Sequence, residues 1–502
     1  MTQRPPFTRK SWRSPSLLKA TSVTFTADAF LSSRRPVMLP AEGAGGRAAR
    51  CGRTVIVIDG RGSLLHRPDR GDTIEIRLPM QGEAQASDQT ARDALSGPHE
   101  PARSLYLHVP FCFHKCHYCD FYSFVDTRDR QEAFVDALAL ELHALAPHAA
   151  APLETIFVGG GTPSLLRPEL WERLTRHIGE TFDLSHIRAG RGEWTVECNP
   201  ETVTPELMRV LRDGGVNRVS VGAQSFDHRH LKALERWHDP ENVPRALALA
   251  ADAGIERRSL DLIYAIPGQT LGDWKRDVET ALAIDPPIEH ISCYALTYEP
   301  NTAMTARLRR GEFQAAPDEL EVEMYEWLVE RLRVAGLERY EVSNFARRGA
   351  ECAHNLAYWR QRSWLAAGPS ASGHVRTAGE RANAFAPPGN RWKNVPQLTA
   401  WMDGVKRSEG WSPVVEHETP DDRRAIIERV MTGLRLREGL DEASLLEAAA
   451  TIGDASELRA TIARARASGL LYDDIDGHLT LTDRGYLFAD GVAADLMSTI
   501  PS

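Results

Sequence analysis

At 502 residues, with 42% hydrophobic and 26% charged side chains, the chain is too long for one ordinary domain and has ordinary globular composition. Its net charge of -9 argues against the broad basic face that non-specific nucleic-acid binding needs, so no nucleic-acid partner is expected. Seven cysteines, scattered except for one tight trio, make a poor disulfide framework and a better metal site, which implies a reducing compartment, and no apolar run reaches membrane-spanning length.

The first hundred residues differ from the rest. Arg4, Arg9, Lys10, Arg13 and Lys19 precede any acidic residue, an acid-poor start of the kind found in organellar transit peptides, although Pro5, Pro6 and Pro15 interrupt a helix there. TVIVID (54–59) and TIEIRL (73–78) read as two short strands, and 81–103, rich in Ala, Ser, Gln and Pro, reads as a linker. Residues 1–103 are therefore expected to be a poorly ordered extension and linker.

From Ser104 short apolar runs alternate with helical patterns. Strands are expected at 104–109, 155–160, 194–198, 218–223, 259–265 and 290–297, with helices at 130–146, 168–180, 204–213, 227–237, 243–253 and 272–283. Near-continuous apolar strands alternating with helices imply an α/β fold, a parallel sheet covered by helices and rolled into a partial or complete β/α barrel over 104–345. A helix follows at 318–335. Residues 346–412 are expected to be a loop-rich connector, and 413–502 a mainly helical, winged-helix-like domain with helices at 420–432, 441–449 and 455–468 and a hairpin within 470–488.

HVPFCFHKCHYCDFYSF sets Cys112, Cys116 and Cys119 in a C-x3-C-x2-C pattern just after the first strand. Three thiolates suit an iron-sulfur cluster with one open iron, or a zinc ion completed by His114 or His117. GGGTPS (159–164) follows the second strand, where glycines permit close backbone approach. Glu197, Gln224, Asp261 and Ala295 fall on later strand ends, and Arg236 one helix after Gln224. In a β/α barrel those ends carry the chemistry. HNLAYW (354–359) offers His354 as an iron ligand and Tyr358 and Trp359 as stacking rings, or else a loop held down by a buried Trp.

The cysteine spacing, with Tyr118 before the third cysteine, resembles the radical S-adenosylmethionine (SAM) signature. With the strand-end residues it resembles the oxygen-independent coproporphyrinogen III oxidase group. The resemblance implies a [4Fe-4S] cluster on Cys112, Cys116 and Cys119. It implies SAM contacts from Tyr106, Tyr118, Gly160, Gly161, Thr162, Glu197, Gln224, Arg236, Asp261 and Ala295. The oxidases of porphyrin biosynthesis carry a fourth cysteine where this chain has Phe121, and an N-terminal arm that residues 1–103 do not resemble. CDFYSF, HNLAYW, YEVSNFA (340–346) and GPSASGH (368–374) resemble instead the HemW branch of heme chaperones. That implies heme as bound cargo near His354, Tyr358 and Trp359, an acceptor hemoprotein of respiratory, membrane-associated type, an electron donor, and a cytoplasmic location, with an organellar one as the alternative. A coproporphyrinogen III oxidase and a zinc-stabilised binding module are the competing functions.

Overall fold

The structure, a computed structural model, describes residues 89–379, 384–474 and 476–501 together with three short strands nearer the N-terminus. The two strands expected in TVIVID and TIEIRL are present as Val57–Ile58 and Glu75–Arg77, and a third, Ser63–Leu65, lies between and pairs antiparallel with both. These belong to a separate unit spanning Arg35–Asp88. The remaining expectations for residues 1–88 fall outside the described residues.

In the main unit six strands run parallel in chain order: β1 (Ser104–Val109), β2 (Thr155–Gly160), β3 (Glu193–Cys198), β4 (Arg218–Gln224), β5 (Arg257–Tyr264) and β6 (His290–Ala295). The helices α1 (Gln131–Leu145), α2 (Pro168–Thr181), α3 (Pro205–Gly214), α4 (Asn242–Asp252), α5 (Leu271–Leu282) and α6 (Asp318–Val334) follow them. Local chemistry sets their ends. Thr204 Oγ1 accepts from Leu207 N at 3.1 Å to start α3, and Gly215, at φ +108°, ends it in the left-handed region a side chain resists. Thr270 and Asp273 form a reciprocal capping box on α5.

The strands alternate strictly, contrary to the expected near-continuous apolar runs. Leu105, Leu107, Ile156, Val158, Trp194, Val196, Val219, Val221, Leu260, Leu262 and Ile291 face outward into one core shared with the helices. Each fully buried aliphatic or aromatic side chain of this kind contributes about 1.5–3 kcal/mol. The intervening residues, among them Thr195, Glu197, Arg218, Ser220, Ser259, Asp261, His290 and Ser292, face a polar lumen. A parallel strand needs two apolar faces only when both are packed; here one faces this chamber.

The barrel is partial. The free edge of β6 is taken by Asn344–Ala346, antiparallel, and that of β1 by Trp364–Ala367, parallel. Ser372–Arg376, Gly389–Asn394 and Val414–Glu418 then extend the sheet antiparallel. Residues 346–412, expected to be a loop-rich connector, therefore supply sheet strands and the helices Ala353–Trp359 and Leu398–Arg407. The stretch expected to be linker is also built in from Gln89. Val414 N donates to Gln89 O at 3.1 Å, Ala91 N to Ser412 O at 2.9 Å and Glu100 N to Arg376 O at 2.8 Å. Ala91, Ala94 and Leu95 are buried.

The C-terminal part is mainly helical, as expected, with helices Asp422–Gly433, Glu442–Ala450, Ser456–Ala467 and Ala489–Ser498 and a wing in which His478–Leu481 pairs with Leu471–Asp473 and Leu440–Asp441. No helix among the described residues is long and apolar enough to cross a membrane.

One buried carboxyl ties α1 to the extended sheet. Glu141 accepts from Gly368 N at 2.7 Å, Asn394 Nδ2 at 2.8 Å and Trp401 Nε1 at 3.2 Å. Burial pushes its pKa up to about 8 against the pull of those three donors. Glu141→Leu leaves Gly368 N and Trp401 Nε1 without a partner and Asn394 Nδ2 with Gly368 O alone, so we expect it to lower the unfolding free energy by roughly 2–4 kcal/mol in urea titration, and Glu141→Gln to cost clearly less.

Candidate active site at the C-terminal mouth of the barrel

Beyond β1, Pro110 leads into Phe111–Cys112, which pairs with Phe124–Val125, so the intervening cysteine loop is a closed excursion. Three ties hold it. Lys115 Nζ donates to Phe121 O at 2.8 Å and Ser123 O at 3.3 Å, the His108 ring reaches Tyr122 O at 2.8 Å, and Cys119 N donates to Cys116 O at 3.3 Å. The glycine loop packs on the loop's start: Gly161 N donates to Val109 O and Thr162 N to Phe111 O, both at 2.7 Å. A Cβ on Gly161 would lie 2.7 Å from Phe111 O, and one on Gly160, already at φ +107°, would strike the His108 ring. Only glycine permits this approach.

An open cleft of about 1290 Å³ stands above the strand ends. Its wall includes all three trio cysteines and Tyr118, Gly160, Gly161, Thr162, Glu197, Gln224, Arg236, Asp261 and Ala295. Every expected SAM residue but one is thus brought to one cavity. The exception is Tyr106, which sits a layer lower, packed against Phe157, with its hydroxyl 3.0 Å from His108 Nδ1. Gln224 holds φ +65°, a costly conformation for a non-glycine residue and one that gathers at functional sites.

The electrostatics fit a metal centre with a charged ligand. Cys112, Cys116 and Cys119 are free thiols. Burial, then the neighbouring Cys116, pushes Cys119 up to about 12, so a thiolate there needs a cation to hold it. Arg236 is a buried cation whose guanidinium donates to Gly222 O at 2.9 Å and approaches Cys116 Sγ at 3.8 Å. Burial and the nearby Asp261 raise Glu197 to about 8, while Gly160 N donates to it at 3.2 Å. Burial also raises Asp261 to about 6, opposed by hydroxyl donors Ser292 and Ser220 and by Arg236. Of the histidines offered for zinc, His114 lines the cleft and stacks on Trp237 with ring centres 3.9 Å apart, and His117 lies 3.2 Å from Arg307.

His354, Tyr358 and Trp359, expected to contact the heme cargo, do not line this cleft and are buried. They lie on Ala353–Trp359, which packs beside the strand starts at Thr155 and Glu193. His354 is fully buried, 2.8 Å from Thr155 Oγ1, stacked on Phe157, and held neutral by burial, which pushes its pKa down to about 3. Arg435 lies over the Trp359 ring, and Tyr358 packs edge-on against His354 and Trp364. Cys352 and Asn355 from the same segment line a lower recess that shares Glu197, Ser220, Asp261 and Tyr294 with the cleft.

Sequence reasoning missed the floor of that recess. Glu193 and Arg218, both essentially unexposed, form an ion pair at 2.8 Å. Glu193 also accepts from Cys352 Sγ at 3.2 Å and His354 N at 3.3 Å, and Arg218 Nη2 donates to Ala350 O at 2.8 Å. The signal was the alternation itself, EWTVEC and RVSVGA, which places a charge on the inner face at each strand start.

A family model described as the radical SAM superfamily matches residues 106–281, and one described as the HemN C-terminal domain matches 421–488. The protein named heme chaperone HemW from Mycobacterium tuberculosis is 36% identical over 397 residues, 78% of this chain and 94% of its own. The Bacillus subtilis protein of that name is 33% identical over 350 residues, covering 69% and 86%. The solved structure of coproporphyrinogen III oxidase (HemN) from Escherichia coli shares the fold, with a TM-score of 0.67 at 20% identity over 83% of this chain and 94% of that one.

Two outcomes follow from the geometry. His354→Ala should lower the unfolding free energy by about 2–4 kcal/mol, since it opens a cavity and strips partners from Thr155, yet leave the absorption spectrum of added heme unchanged. Glu197 keeps its proton when folded up to about pH 8 but only to 4.5 when unfolded. Its stabilising effect is therefore whole below 4.5 and is lost as pH climbs through about 8. Thermal midpoints of the SAM-free protein should fall over that window, and less steeply in Glu197→Gln.

Proposed function

We propose, from the premise that this chain belongs to the HemW family of the radical SAM superfamily, that it binds heme and passes it to an acceptor hemoprotein while its cleft carries a [4Fe-4S] cluster and SAM. One observation carries the reading: three cysteines share a cleft whose wall, where the resembling oxidases have a fourth cysteine, is formed by Phe121.

The residues fit both groups. Cys112, Cys116 and Cys119 would bind three irons and leave the fourth open for SAM. The backbone of Gly160, Gly161 and Thr162 would meet the methionine end, and Glu197 the ribose hydroxyls. When bound, the pair supplies one-electron reductive chemistry at the sulfonium. Arg236 contributes a fixed positive charge beside Cys116 and offsets the anionic centre. Tyr118 packs on the apolar group of Leu234, Ile263, Ile266, Leu296 and Met304, and so walls one side against water. Glu197 must give up its proton to accept two ribose hydroxyls, and the Gly160 N–H favours that ionised state.

The cargo is heme, and its site lies away from the buried helix Ala353–Trp359. The partners proposed are a respiratory acceptor hemoprotein at a membrane and a one-electron donor, and the compartment proposed is the cytoplasm. The test is anaerobic reconstitution with iron and sulfide, followed by two assays on one preparation. Heme titration is expected to give saturable binding at one site. Coproporphyrinogen III with SAM and a strong reductant is expected to yield no protoporphyrinogen. Turnover to protoporphyrinogen, or heme absorption that rises without saturation, would overturn the reading.

A further inference from the structure

β4 gives way to Ser225 and Phe226, whose hydroxyl and backbone N–H donate to Asp277 of α5, each at 2.7 Å. The chain then turns at Asp227 into the short helix His228–Ala233. Asp227 caps that helix, accepting from Arg229 N at 2.8 Å, while Asp273 caps the start of α5. Two adjacent helix starts therefore bring two carboxylates together. His230 stands with them, only 3% exposed. Its Nε2 is buried without a hydrogen-bond partner and lies 3.8 Å from Asp273 Oδ2. The ligand atoms of Asp227, His230 and Asp273 all fall within 4.8 Å of one another. A buried polar nitrogen without a partner is costly, and here it lies beside a converging set of oxygen donors.

We propose that Asp227, His230 and Asp273 bind one divalent cation of the borderline class, such as Mn²⁺, Fe²⁺ or Zn²⁺, with water completing its shell. One imidazole and two carboxylates suit those ions, and the site is separate from the thiols of the cleft. The carboxylates already have partners: Thr270 N and Oγ1 donate to Asp273 Oδ2 at 2.9 and 2.6 Å, Arg229 donates to both carboxylates, and Arg276 pairs with Asp273. Those guanidinium groups are 70% and 67% exposed. The solvent-facing arginines are weak, mobile competitors, so a cation displaces them, shares Asp273 with the Thr270 cap, and gains a nitrogen that has no partner. The consequence reaches the cleft. The helix that His230 anchors ends at Ala233, and Arg236, three residues on, approaches Cys116. A bound ion fastens the near end of the segment that delivers Arg236.

Mn²⁺ is the probe, because thiolates compete poorly for it. It is titrated into the full-length chain, with the free-ion signal followed by electron paramagnetic resonance and the unfolding temperature followed in parallel. The expected result is one saturable site per chain and a raised unfolding temperature, with Cys112→Ser leaving both unchanged. Loss of an outer-shell partner alone weakens metal sites by roughly 10–100-fold, so His230→Ala should weaken binding at least as much. Arg229→Ala, which removes a competitor, should tighten it, an effect that a purely structural histidine would not produce. Should His230→Ala fold poorly by circular dichroism, His230→Gln keeps the bulk and removes the ligand. No saturable binding at millimolar Mn²⁺, or binding that persists unchanged in both His230 variants, overturns the proposal.

Discussion

The ion pair between Glu193 and Arg218 is the constraint on which the rest of the barrel depends. Burial by itself would push the Glu193 pKa up, but Arg218, the Cys352 thiol and a backbone donor together hold it below the usual carboxylate value. Two charges in a low-dielectric interior survive only when each finds several partners. Those partners come from β3, from β4 and from the segment 350–354, so the requirement to neutralise one carboxylate fastens a distant helix beneath the strands. The lumen at that end is lined by Cys352 and Asn355 of the fastened segment.

Glu193 and Glu197 share one strand and one face, four residues apart, and their situations are opposite. The lower carboxylate is matched by a guanidinium at 2.8 Å and stays ionised, whereas burial and Asp261 raise the upper one to about 8. Position along the strand decides between structure and chemistry. Charge at the floor is neutralised by the protein, and charge at the mouth is left for a ligand to settle. The strained backbone of Gln224 and the glycine approach at 160–161 lie at the mouth as well, where the fold gives up local stability for access.

Much of this was legible in the sequence because the barrel repeats one grammar: strand, ligand residue, helix. The six strands fall where the apolar residues predict them, and the cleft collects eleven polar, glycine and aromatic positions and cysteines named from motif spacing, together with Ala295. Tyr106 departs from the pattern because its side chain stops one layer below the mouth, a depth that spacing does not encode. His354 departs for a related reason. A histidine beside Tyr and Trp has the composition of a ligand site, but its burial depends on Thr155, Phe157 and Glu193, about 160–200 positions earlier in the chain. The strands Trp364–Ala367 and Ser372–Arg376 were hidden by their small residues, which lack the β-branched signature and are strands because a neighbouring edge recruits them.

The placement of β1 bears on how the protein is made. Its outer edge pairs with Trp364–Ala367, about 260 positions downstream, and the segment before it is laced to residues as late as Val414. At roughly 5–20 residues per second, that edge stays unpaired for roughly 10–50 s after Ser104 is synthesised. The three cysteines hang directly from this strand, so they are among the first residues of the cleft to emerge, while its wall is complete only at Glu299. Nascent chains thus pass through a long interval in which the thiols are open to oxidation, to stray metal or to a cluster donor. The topology leaves the thiols on the chain while the sheet that carries them is still incomplete.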